Sequence, residues 1–236
     1  MKKIISFFCL FFFLGTLPCY GGFLLDGFFR GSKMGGSDPS TTGAGLREAL
    51  AIGTENAVSI LSSENGYYSN EAVKILVPEK IQNVAETLKK SGFEQKVDDF
   101  VASMNLAAEK AAPQAQGIFI DAIMGMVMDD ARGLFDEGNA AATDYLKSKS
   151  YNEIYDAYKP FVSSSLDQTG GTAAYNDMMK TFSALPLMSA QPLDLSSYVT
   201  TQALTGIFHL MGQEEIKIRT DPEARVTDLL KDIFGE

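Results

Sequence analysis

From Leu46 to the C-terminus, apolar residues recur every three or four positions, and no run alternates apolar with polar for long enough to build a sheet. That spacing lines the apolar side chains along one face of a helix, so such a chain buries a core only by packing helices together. With 236 residues and 45% hydrophobic content, one sizeable core is within reach. The fold class predicted is all-α, a single-domain bundle of about nine helices over residues 45–236. Residues 73–77, VKILV, are the best strand candidate, and a lone strand is extended chain rather than a sheet.

Punctuation divides the pattern. Leu46, Leu50, Gly53, Ala57 and Ile60 open one helix, closed by the turn residues SSENGYYSN. Pro78 suits the first turn of the next, and Gly92 its C-terminal cap. Val97, Val101, Met104, Ala108 and Ala111 share the face of a third. Pro113 is expected to restart the chain before the stripe Ile118, Phe119, Ala122, Ile123, Met126. Asp129 and Asn139 read as N-caps, Ser150 and Glu153 as a capping box, and Pro160 as a kink or split. After the proline-rich connection LPLMSAQPLDL, the longest helix is expected from about Ser196 to Arg219. Thr220 and Glu223 form a second capping box before the last helix.

The N-terminus reads differently. Lys2 and Lys3 precede an apolar run of 14 residues, 4–17, and Gly21 follows, which is the pattern of a signal peptide over residues 1–21. The run falls short of the roughly 18 to 20 residues a membrane-spanning helix needs, so no transmembrane span is expected in the mature chain. Cys19 is the one candidate for a lipid anchor, and Pro18 before it disfavours that processing. Residues 22–44, rich in Gly, Ser and Thr, read as a flexible tether. The expected location is outside the cytoplasm, periplasmic or in the cell envelope. Loss of residues 1–21 leaves 18 basic side chains against 30 acidic ones, a net −12. Such a surface repels nucleic acid and anionic lipid.

GLREALAIGTENAV, DDFVASMNLAAEKAAPQA, IFIDAI, AATDYLKSKS and the long C-terminal block beginning YVTTQALTGIFHLMGQEEIKIRT resemble, in that order, domain-of-unknown-function family 4197, a family of exported bacterial proteins. The resemblance covers about residues 45–236 and implies no activity. Where the family has DTAATDYF, this chain has NAAATDYL, so Asn139 and Ala140 replace an acid and a hydroxyl, while Thr143, Asp144 and Tyr145 match.

Chemistry is sparse. His209 is the sole histidine, on the less apolar side of its helix and without a G-x-S-x-G elbow, so no catalytic residue is assigned. Zinc sites of Cys and His are excluded by inventory, the acidic stretch DDARGLFDEGN lacks the spacing of a calcium loop, and GAGLRE lacks a dinucleotide fingerprint. Neither metal nor cofactor is expected. What remains are polar residues at the margins of apolar stripes. Asn105 and Glu109 share a helix face, Asp121 borders the Ile118 and Ala122 face, and Glu214 falls in an apolar seam where it needs Arg47 or Arg219. Glu215 and Arg219 fit a surface ion pair. These groups either register helices, or Asn105, Glu109, Asp144 and Glu214 gather around a polar pocket between helices, with Thr143 and Tyr145 in its wall. The run 123–128, IMGMVM, fits core filling or an adaptable binding surface. The function expected is a non-catalytic binding or envelope-associated module, its partner a small molecule or an envelope protein; the alternative is a hydrolase working through paired carboxylates.

Overall fold

A computed structural model describes residues 39–127, 131–186 and 192–235. Among them lie eight α-helices and no strand: α1 (Pro39–Leu61), α2 (Gln82–Lys90), α3 (Glu94–Gly125), α4 (Ala131–Glu137), α5 (Ala141–Gln168), α6 (Gly171–Ser183), α7 (Leu195–Thr220) and α8 (Asp228–Phe234). The four long helices form a ring in which α3 packs on α1 and α5, and α7 closes it by packing on the same two. Leu50, Met104, Phe119, Leu146, Ile207 and Met211 are among the side chains sealed in its core. Phe119 on α3 and Phe208 on α7 meet as a tilted pair with ring centroids 5.0 Å apart. The shorter α2 and α6 lie on α3, while α4 and α8 lie on α1.

Several boundaries differ from the sequence reading. Helix α1 starts at Pro39, inside the stretch expected to be tether up to residue 44. Thr42 is buried there, and Gly45 sits so close to α8 that an added Cβ would come 2.8 Å from Ile233 Cγ1. Small residues serve as a packing surface here, not as a flexible spacer. Pro113 and Pro160 neither restart nor split their helices. Both prolines are exposed, and buried neighbours such as Ala112, Ala115, Tyr158 and Val162 hold the helix on either side. The longest helix is therefore α3, at 32 residues, not α7.

The expected caps also move. Ser150 lies within α5, nine residues past its first residue, so its S-x-x-E match caps nothing. Asn139 adopts a left-handed conformation (φ 48°) before the true N-cap, Ala140. Asp221, not Thr220, caps the 3-10 turn Pro222–Ala224, and Thr227 caps α8 by accepting the Leu230 N–H. The expected cap Asp129 lies outside the described residues. Residues 74–78 are extended chain without a strand partner, as anticipated for VKILV.

Where α8 meets α1, Glu48 is 7% exposed and its Oε2 has no hydrogen-bond partner among the described residues. Burial raises its carboxyl above the ordinary 4.5, against the opposing hydrogen bond from Thr227. A raised acid favours folding fully below its unfolded value and loses that contribution as pH climbs through the folded one. Glu48→Gln should therefore raise the melting temperature at pH 8 and leave it unchanged below pH 4, in paired thermal melts.

Candidate functional site

The polar residues predicted from sequence separate into three places. The first is the inner face of α3, where Asn105 is fully buried. Its Oδ1 accepts the Ile75 N–H at 2.9 Å, and its Nδ2 donates to the Ile75 carbonyl at 2.8 Å and to the Val101 carbonyl at 2.8 Å. One side-chain amide thus takes the place of a neighbouring strand for the extended segment. One turn along, Glu109 Oε1 accepts the main-chain N–H groups of Tyr67 and Tyr68, both at 3.2 Å. Tyr67 in turn donates to the Ala203 carbonyl of α7 at 2.9 Å, and Gly206 makes room for its ring, since a Cβ there would lie 2.9 Å from Tyr67 Cε1. Burial first, then Tyr158 and Glu109 nearby, push the Tyr67 hydroxyl well up, so it stays protonated as a donor. Asn105 and Glu109 together fasten the irregular chain between α1 and α2 onto α3.

The second place is the start of α5. The α5 N-cap residue, Ala140, supplies no side-chain bond, and Glu215 of α7 does so instead. Its carboxylate accepts the N–H groups of Ala142 (3.0 Å) and Thr143 (2.7 Å) and the Thr143 hydroxyl (2.7 Å). Free N–H groups and the positive end of the helix dipole both favour an anion there. Arg219 completes the arrangement: Nε and Nη2 donate to Glu215 Oε1 at 3.0 and 2.8 Å, Nη1 donates to the Phe135 carbonyl and Nη2 also to the Leu134 carbonyl, both in α4. Its guanidinium lies 5.7 and 5.5 Å from the rings of Phe135 and Phe234.

Here the sequence reading of the two adjacent glutamates reverses. Glu215 is 1% exposed and makes a buried ion pair, not a surface one. Glu214 is only partly buried, receives Asn56 Nδ2 at 2.7 Å and faces Lys217 at 3.7 Å, while Arg47 donates to the Met126 carbonyl instead. Asp144 is exposed one residue beyond the cap, and His209 is exposed with Gln213 at 3.0 Å. Glu109, Asp144 and Glu214 therefore do not share a pocket: each is held by, or faces, a different part of the fold.

The third place is a cleft of about 620 Å³ between the C-terminal half of α3 and the first half of α5. Asp121 and Tyr145 line it, joined by three residues the sequence reading left out of its site: Lys149, Ser150 and Glu153. Tyr145, Lys149, Glu153 and Ala157 follow one another at every fourth position and so form a single ridge of α5. Its apolar wall includes Ile118, Ala122, Met126 and Ile154. Tyr145 donates to the Val127 carbonyl at 2.9 Å, and Lys149 Nζ stands 5.4 Å from the Tyr145 ring centroid. Asp121 and Glu153 take no ion pair among the described residues. Ser150 is 8% exposed, and its hydroxyl makes no hydrogen bond there either. Thr54, Thr200, Thr201 and Thr205, all in helices, each donate to the carbonyl four residues back. Ser150 keeps that capacity free.

A second cleft, about 710 Å³, separates residues 74–80 from the start of α7, and most of its polar groups, though not the side chains of Glu79, Lys80 and Gln202, are engaged. Asp194 caps α7 by accepting from the side chain and N–H of Ser197, which hold its carboxyl far below the usual range, and it also pairs with Lys159. Tyr198 donates to the Leu76 carbonyl. Among the described residues no group of three or more His, Cys, Asp or Glu is placed to hold a metal ion, and no helix is long and apolar enough to cross a membrane.

A ring of four long helices whose interior polar groups fasten the chain, with a cleft between α3 and α5, defines an all-helical module. The chain belongs to the family described as "Protein of unknown function (DUF4197)", matched over residues 37–235. That span takes in every described helix and confirms the resemblance carried by the sequence blocks. No curated protein and no solved structure matches the chain.

Proposed function

We propose that this protein is exported and acts as a non-catalytic binding module of the periplasm or cell envelope, with the α3/α5 cleft as its ligand seat. One contrast carries the reading. Asn105, Glu109, Glu215 and Arg219 are consumed by main-chain groups or by each other, whereas Asp121, Ser150 and Glu153 face open space without partners. A cleft with apolar walls and a few free polar groups is the usual form of a small-molecule site. IFIDAI and AATDYLKSKS, two of the blocks that carry the family resemblance, also face each other across it. Export rests on Lys2, Lys3, the apolar run 4–17 and Gly21.

The test is native mass spectrometry of the full chain recovered from its host by cell fractionation. The expected result is a chain beginning near residue 22 in the envelope or periplasmic fraction, carrying a non-covalent small molecule that Ala157→Trp removes. An uncleaved cytoplasmic chain with no bound molecule would contradict the proposal. Progressive conversion of an added ligand would favour the hydrolase, with Asp121 and Glu153 as its paired carboxylates.

A further inference from the structure

Resting on the α3/α5 cleft as the ligand seat, we propose that its ligand is a small organic amine with an apolar body, bound as the ammonium. Ionised carboxylates only accept hydrogen bonds, so whatever meets Asp121 on one wall and Glu153 on the other must bring donors. The one cation lining the cleft, Lys149, stands over the Tyr145 ring and is paired with neither. The uncommitted charge of the cleft is thus net negative, in a chain whose formal charge is −10, and this favours a cationic ligand over an anionic one at long range as well as in contact.

Ser150 supplies a second, independent sign of a ligand. It is 8% exposed, lines the cleft, and has a hydroxyl without a partner among the described residues. An ammonium has three N–H donors, and the two carboxylates and this hydroxyl are the acceptors left free here. The apolar body has its own surface: Ile118, Ala122 and Ile154 form the wall, and Val127, 65% exposed, forms a lip. An anion would meet two carboxylates and one lysine. A neutral ligand would leave the charges without a counterpart.

Isothermal titration of the full chain with three probes of one body and different heads separates these cases: hexylamine, 1-hexanol and hexanoate. Hexylamine is expected to bind and hexanoate not to. Asp121→Asn and Glu153→Gln, at exposed positions, should each weaken hexylamine about tenfold through loss of a charge-assisted hydrogen bond, and Ser150→Ala by less. Hexylamine binding that survives both carboxylate variants would overturn the proposal. Hexanol or hexanoate binding as tightly as hexylamine, and lost in Ala157→Trp, would overturn the amine while leaving the cleft as the seat. If none of the three binds, the amine is refuted, and the mass spectrum of the recovered chain then decides separately whether the cleft is a seat at all.

Discussion

Glu215→Ala is expected to destabilise the fold by about 3 to 5 kcal/mol, because it leaves one member of a buried ion pair without its partner. The side chain of Arg219 is 8% exposed and would keep only the Leu134 and Phe135 carbonyls, while the Ala142 and Thr143 N–H groups would lose their acceptor. For a chain of this length each kcal/mol is worth about 2–4 °C, so the melting temperature should fall by roughly 6 to 20 °C. Glu215→Gln, still an acceptor for one main-chain donor, should cost distinctly less. The double variant Glu215→Ala with Arg219→Ala should cost less than the two singles added together, since each single strands what the other removes. Thermal melts of the four variants beside the parent read all of this directly.

Asn105→Leu comes next in size. It removes both partners of the Ile75 main chain in a fully buried position, leaving an N–H and a C=O unsatisfied at about 1–3 kcal/mol each. The loss should be roughly 2 to 6 kcal/mol in urea unfolding, and it should be local before it is global. Amide exchange at Ile75 is expected to accelerate more than in α7, and limited proteolysis should move into residues 66–77. Asn105→Asp keeps the acceptor for the Ile75 N–H but points a carboxylate at the Ile75 carbonyl, so it should be destabilising too.

Helix type and number were legible because packing helices leave a strong periodic mark: the stripe from Val97 through Ala111 becomes the buried face of α3, and Asn105 and Glu109 stand out as polar groups beside it. Finer features were not. Successive residues on a helix point about 100° apart, so which of Glu214 and Glu215 faces inward depends on how α7 sits between α1 and α5, and no local pattern encodes that. The effect of Pro113 and Pro160 depends on which side of the helix meets water, again a tertiary fact. Ser150 and Glu153 matched a capping box because the motif carries no record of a helix already under way. The lysine and glutamate of the cleft had only a weak signal, the four-residue spacing from Tyr145 through Lys149 to Glu153. The cleft itself depends on how α3 and α5 pack against each other, which no single stretch of sequence records.

The most direct test of the division between fastening groups and free groups is a set of thermal melts comparing Glu215→Ala with the double variant Asp121→Asn and Glu153→Gln. Glu215→Ala should melt well below the parent protein, and the cleft variant, altered only at exposed positions, within a few degrees of it. A Glu215→Ala protein that melts with the parent, beside a cleft variant that has lost its cooperative transition, would contradict it.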